Sequence, residues 1–135
     1  MAALTKDRDT RERPGALRAP GVAAGAKIFA GSLVVLDGGY AKPGATATGL
    51  VAIGRAEEMV DNTSGGNGDV TVTVKRGVFR FANSAAAEAI TAAEIGSDCY
   101  VVDDQTVAKT SDTNTRSVAG TVHDVDADGV WVEFK

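Results

Sequence analysis

Only seven of the 135 residues are aromatic, and Leu and Ile together supply just nine. A Leu-rich helical bundle is excluded. A core built within one chain would be lean, which leaves apolar surface for a partner to cover. There is one cysteine, Cys99, and one histidine, His123. A single cysteine forms no internal disulfide, and without a CxxC or Cys/His cluster the chain is consistent with a reducing compartment. The longest apolar stretch, Val22–Leu36, carries Lys27 and is too short to cross a bilayer. The first 15 residues are charged where a secretory leader is apolar. No phosphate-cradling loop of the G-x-x-x-x-G-K-[ST] type and no nucleophile motif is spelled out.

What the chain does have is Ala (23), Val (17), Gly (16) and Thr (13). Val and Thr are stiff at the first side-chain torsion and suit strands; Gly suits tight turns. The expected fold is mainly β, a small β-barrel or β-sandwich with one short helix and an extended N-terminal arm. Net charge is −4, unevenly spread. Residues 1–18 hold five basic and three acidic side chains, and residues 19–135 hold nine and fifteen. A body of that balance is a poor partner for nucleic acid.

Residues 1–20 contain Pro14, Gly15 and Pro20, alternating charges and little to bury. They are expected to form an arm held only by a partner, with Leu4, Arg8, Arg11, Arg13, Leu17 and Arg18 as the contact residues. Residues 21–135 are expected to form one β-rich domain. Lys27–Leu36 reads as one or two strands, Asp37-Gly38-Gly39 as a hairpin turn, Tyr40–Lys42 as the return and Leu50–Gly54 as a strand. Glu57–Asn67 reads as a loop, and the glycine-rich Ser64–Asp69 as mobile. Asp69–Ala82 is the longest strand signal. Its apolar phase changes from Val70, Val72 and Val74 to Phe79 and Phe81, which predicts a bulge or sharp bend at Arg76-Gly77. Ser84–Gly96 is the helical candidate, expected to make one or two turns, with a capping box at Thr91 and Glu94 and Gly96 as its stop. Two hairpins follow, Cys99–Val102 with Thr106–Lys109, and Arg116–Val125 with Val130–Phe134. Shifting the chain by 67 residues aligns Val34, Val35, Asp37, Ala41, Lys42, Thr46, Thr48, Val51 and Ala52 with identical residues, nine in nineteen positions. That is either coincidence in an Ala/Val/Thr-rich chain or a duplicated hairpin–loop–strand unit.

Asp124, Asp126, Asp128 and Gly129 spell the opening of a calcium loop, but the twelfth position is Lys135 instead of a bidentate acid. A hairpin turn is expected instead, with Ala127-Asp128-Gly129 as its loop and His123 opposite Glu133. His123 has no nucleophile to activate. Asp103 and Asp104 are adjacent and belong to a turn, not to a catalytic pair. Cys99 reads as a small buried hydrophobe. Lys75, Arg76 and Arg80 form a basic cluster suited to guarding a strand edge or meeting a partner. No catalytic, cofactor-binding or metal-ligating residue is assigned.

The run GVFRFANSAAAEAITAAEIGSDCYVVDDQTVAKT, followed by RSVAGTVHDVDADGVWVEF, resembles the capsid decoration (cement) proteins of tailed phages, of the Mu-like type. The features that carry the resemblance are Gly77-Val78-Phe79, Ile95-Gly96, Tyr100 with its acidic hairpin, and Val118–Gly120. It covers residues 21–135 and implies a non-enzymatic structural protein of the virion. Such a protein is made in the host bacterial cytoplasm and binds as a homotrimer to the outer surface of the head. Its partners would be the major capsid protein and itself, with no cofactor, small-molecule substrate, nucleic acid or membrane. The alternative is a trimeric β-barrel module that recognises a host ligand from a spike or adhesin.

Overall fold

The computed structural model describes residues 2–134. The protein is mainly β. The strands in chain order are β1 (Leu17–Arg18), β2 (Lys27–Ile28), β3 (Leu33–Asp37), β4 (Tyr40–Pro43), β5 (Val51–Ala56), β6 (Val60–Asp61), β7 (Val74–Lys75), β8 (Val78–Phe81), β9 (Asp98–Val101), β10 (Val107–Ala108), β11 (Val118–Asp126) and β12 (Gly129–Glu133). They form two five-stranded sheets, β1-β7-β5-β3-β4 and β10-β9-β11-β12-β8, and a small β2-β6 ribbon.

The first sheet is covered on both faces, which explains the unbroken apolar run Leu33-Val34-Val35-Leu36. Side chains alternate along a strand. Leu33 and Val35 point to the second sheet and pack with Phe81, Val101, Val122, Val130, Val132 and Phe134. Val34 points the other way, with Ile53, Val72 and Val74, towards Ile28 of the ribbon. The lean supply of large side chains is thus divided between two thin cores. Val60 and Asp61 complete the ribbon by pairing with β2, inside a segment that reads as loop.

The β3–β4 hairpin turns at the expected place, through two residues. Asp37 pairs with Tyr40, and Gly38 and Gly39 both take positive φ (59° and 89°), the conformation that matches strand twist. The Asp69–Ala82 segment is not one strand. β7 belongs to the first sheet and β8 to the second, and the chain crosses between sheets at Arg76-Gly77, where the apolar phase changes.

The short helical segment expected at Ser84–Gly96 forms as two single 3-10 turns, Ala86–Glu88 and Ala92–Glu94. The capping box is present: the Glu94 carboxylate accepts from the Thr91 N–H at 2.7 Å, and the Ala93 N–H donates to Thr91 Oγ1. A longer helix is prevented by Asn83, whose side chain donates to the Ile90 carbonyl and accepts from the Ile90 N–H. That clasp folds the segment back and seats Ile90 in the main core.

The sequence repeat has a structural counterpart. Hairpin β3–β4 followed by β5, and hairpin β9–β10 followed by β11, occupy the same neighbour order in their two sheets. Ala41 and Ala108 correspond, as do Val51 and Val118. The first strands do not follow the ungapped alignment. Two residues separate paired Asp37 and Tyr40, but five separate paired Val101 and Val107. Leu36, the partner of Ala41, therefore corresponds to Tyr100, the partner of Ala108. The identities of Val34, Val35 and Asp37 fall out of structural register.

Candidate interaction surfaces

The arm boundary lies earlier than residue 20. Residues 16–20 are zipped to the first sheet: Leu17 pairs with Lys75 and Arg18 with Val74. The Arg76 N–H donates to the Ala16 carbonyl at 2.7 Å, and the Val72 N–H to the Pro20 carbonyl at 3.1 Å. An edge strand with unpaired amides is a ready template for backbone pairing, and Ala16–Pro20 uses it. Leu17 and Arg18 are therefore part of the domain, although their side chains stay exposed. The free arm is residues 2–15, exposed throughout. Leu4 is 72% exposed. Among the described residues, Arg8, Arg11, Arg13 and Arg18 form no ion pair.

The Asp124–Gly129 motif is a turn with a tighter geometry than expected. Asp126 pairs with Gly129, so the loop is two residues, Ala127-Asp128. The irregularity lies instead between Val122 and Asp124, where His123 is an exposed bulge residue; Thr121, not His123, faces Glu133. The reason is Asp126. One carboxylate oxygen accepts from the N–H groups of Asp128 and Gly129, and the other from Trp131 Nε1 at 2.8 Å. Asp128 lies 3.8 Å from Arg80, whose guanidinium covers the Trp131 ring. Among the described residues, no three His, Cys, Asp or Glu side chains gather as a metal set would.

The Trp131 indole and the turn amides hold the Asp126 carboxyl below its ordinary value. A depressed folded-state value stabilises the fold above the ordinary carboxylate range, and the contribution is lost as pH falls through the depressed value. Asp126→Asn should therefore lower the melting temperature at pH 7 by a few degrees, and the gap to the wild type should narrow as pH falls through the depressed carboxylate value. Thermal melts from pH 2 to 7 check this; parallel curves across that range would remove Asp126 as the source.

Cys99 is buried, its thiol 3.6 Å from the Gly120 carbonyl, and burial pushes it up to about 12. A thiol so placed stays protonated at neutral pH. Asp103 accepts from the Gln105 N–H and closes its turn. The glycine-rich loop is tied down, contrary to expectation. Buried Asn62 donates to the carbonyls of Val22, Ala23 and Gly66, and Asn67 accepts from the Ala24 N–H. The basic cluster sits where the sheets meet. Arg55, cross-strand from Lys75, lies 4.2 Å over Phe79 and is paired with Glu57.

Two features were not legible in the sequence. The first is the 110–116 loop, where Asp112, Thr113 and Asn114 take left-handed backbone in succession (φ 50°, 58° and 63°). It is held by the Ser111 carbonyl, which accepts from the Thr115 and Arg116 N–H groups, and by Arg116, which pairs with Glu88 at 3.4 Å. The second is a shallow groove of about 330 Å³ between the starts of β5 and β11. Exposed Val51 and Val118, the repeat-related pair, line it with Leu50. The 67-residue repeat was the only available signal, since it pairs those two valines.

Within the described residues no helix is long and apolar enough to cross a membrane. The fold and surfaces define a two-sheet β domain with a free N-terminal arm and exposed apolar side chains. Comparison with known proteins finds no matching family model, no similar curated protein and no similar solved structure.

Proposed function

We propose that this chain is a non-enzymatic structural protein of a tailed-phage head, which binds the outer face of the assembled capsid as a homotrimer and stabilises the lattice of the major capsid protein. The observation that supports it most is the arm. Residues 2–15 lie exposed beside a folded domain and present cationic side chains that are unpaired among the described residues. Ordering them costs roughly 1–2 kcal/mol of backbone entropy per residue, so only contacts with a partner fix them. The resemblance of residues 21–135 to decoration proteins supplies the partner. A ligand that binds the assembled shell and not its free subunits stabilises the shell by mass action. Three linked copies add avidity.

The test is co-sedimentation with purified heads, comparing the full chain with two truncations. Removing residues 2–14 should leave the melting temperature within about 1–2 °C and weaken capsid binding, with the full chain more salt-sensitive than the truncated one. Removing residues 2–19 also takes β1 away from β7, so it should lower the melting temperature as well. Full binding by both truncated chains would make the arm dispensable. Failure of the full chain to pellet with heads would reject the capsid reading and leave the ligand-binding module.

A further inference from the structure

We propose that the free arm of one copy seats in the Leu50/Val51/Val118 groove of a second copy. This rests on the reading of the arm as a contact segment. The groove has the two features such a seat needs. Its floor is apolar: Val51 is 58% and Val118 44% exposed, two β-branched side chains presented side by side to water with Leu50 half-buried beside them. Its rim is acidic: Asp98 and Glu133 both line it, and neither has an ion-pair partner among the described residues.

The spacing of the rim is set by the sheet. Asp98 and Glu133 pair with the same residue, Thr121, from opposite sides. Their backbones are therefore two strand spacings apart, about 10 Å, with both side chains on one face. The arm carries the complement. Leu4 is its exposed apolar side chain, and Arg8 and Arg11 are three residues apart. In the free arm the Thr10 N–H donates to the Arg8 carbonyl at 3.0 Å and closes a turn. Opened on docking to an extended chain, which rises about 3.1–3.3 Å per residue, the arm sets these two arginines about 10 Å apart, and a three-residue period of polyproline type puts them on one side. A guanidinium grips a carboxylate with two bonds. Residues 2–18 are net positive, whereas the body is net negative, so the charges steer arm to body. The arm of the same copy stands exposed, which leaves the groove open to a neighbour.

Full-length charge-swap variants test this. Arg8→Glu with Arg11→Glu gives an acidic arm and an acidic groove. Asp98→Lys with Glu133→Lys gives a basic arm and a basic groove. Sedimentation velocity should show concentration-dependent association of the wild type, weakened at least tenfold in each variant alone and restored when the two are mixed at low salt. Circular dichroism melts confirm that each variant is folded. Variants that associate like the wild type, a mixture that stays apart, or a wild type that remains monomeric at millimolar concentration would each overturn the inference. Capsid pelleting separates this from the reading beneath it. If the arm variant loses heads and the groove variant keeps them, the arm is a contact segment seated elsewhere. If both bind heads undiminished, the arm reading itself fails.

Discussion

Gly54→Ala should be the most damaging single methyl group that can be added to this protein. Gly54 lies in β5 at φ 144°, a backbone conformation that favours glycine, and a Cβ there would overlap the carbonyl of Lys75 in β7. Neither strand can give way without cost. β5 is held by β3 on its other side, and β7 carries β1. The expected destabilisation is about 3–5 kcal/mol, the range in which backbone strain and lost pairing add. Gly38→Ala provides the contrast. Gly38 also has positive φ, but nothing stands within 4 Å of the added atom, so only the conformational penalty of about 1–2 kcal/mol remains. Urea titrations of both variants check the order. Equal losses would show that β7 can move away, and would uncouple β1 from the rest of the sheet.

Ile90→Ala is the second large effect. Ile90 is 2% exposed and is the only core residue supplied by the 84–96 segment. Truncation should cost about 3 kcal/mol, near 10 °C in melting temperature for a domain of this size. Asn83→Ala removes both hydrogen bonds that present Ile90 and should cost about 2 kcal/mol. The two changes act on one clasp, so the double variant should lose less than the separate losses added together. Strict additivity would mean that Ile90 reaches the core without Asn83.

That clasp shows which part of the 84–96 segment is local and which is not. The Thr91–Glu94 capping box is local, and it is present. What ends the helix is a contact seven residues away, which no local pattern announces. The same division runs through the chain. Gly38-Gly39 fixed its hairpin because the turn conformation is a property of two residues. The phase change at Arg76-Gly77 marked a real break, yet alternation alone does not say that the two halves enter different sheets. At Asp124–Gly129 the turn was legible and its length was not, because the length depends on an aspartate that caps two amides and an indole at once. The arm was legible from composition, except for Ala16–Pro20. Those residues are held by backbone bonds to β7, and backbone bonds leave little trace in side-chain choice. The groove was invisible for a related reason: Val51 and Val118 look like ordinary strand residues, and only tertiary structure shows them facing water.

The β1–β7 pairing gives the arm a mechanical character. A load on residues 2–15 reaches the domain through a short antiparallel ladder, from the Ala16–Arg76 bond to the Pro20–Val72 bond. Tension along the strand direction strains those bonds together, so they resist as a group. Tension perpendicular to the sheet opens them singly, beginning at Ala16. An arm hauled along the strand axis would thus behave as a rivet, and one lifted from the sheet as a peel tab. The angle of pull, more than the number of bonds, would determine how much force this attachment transmits.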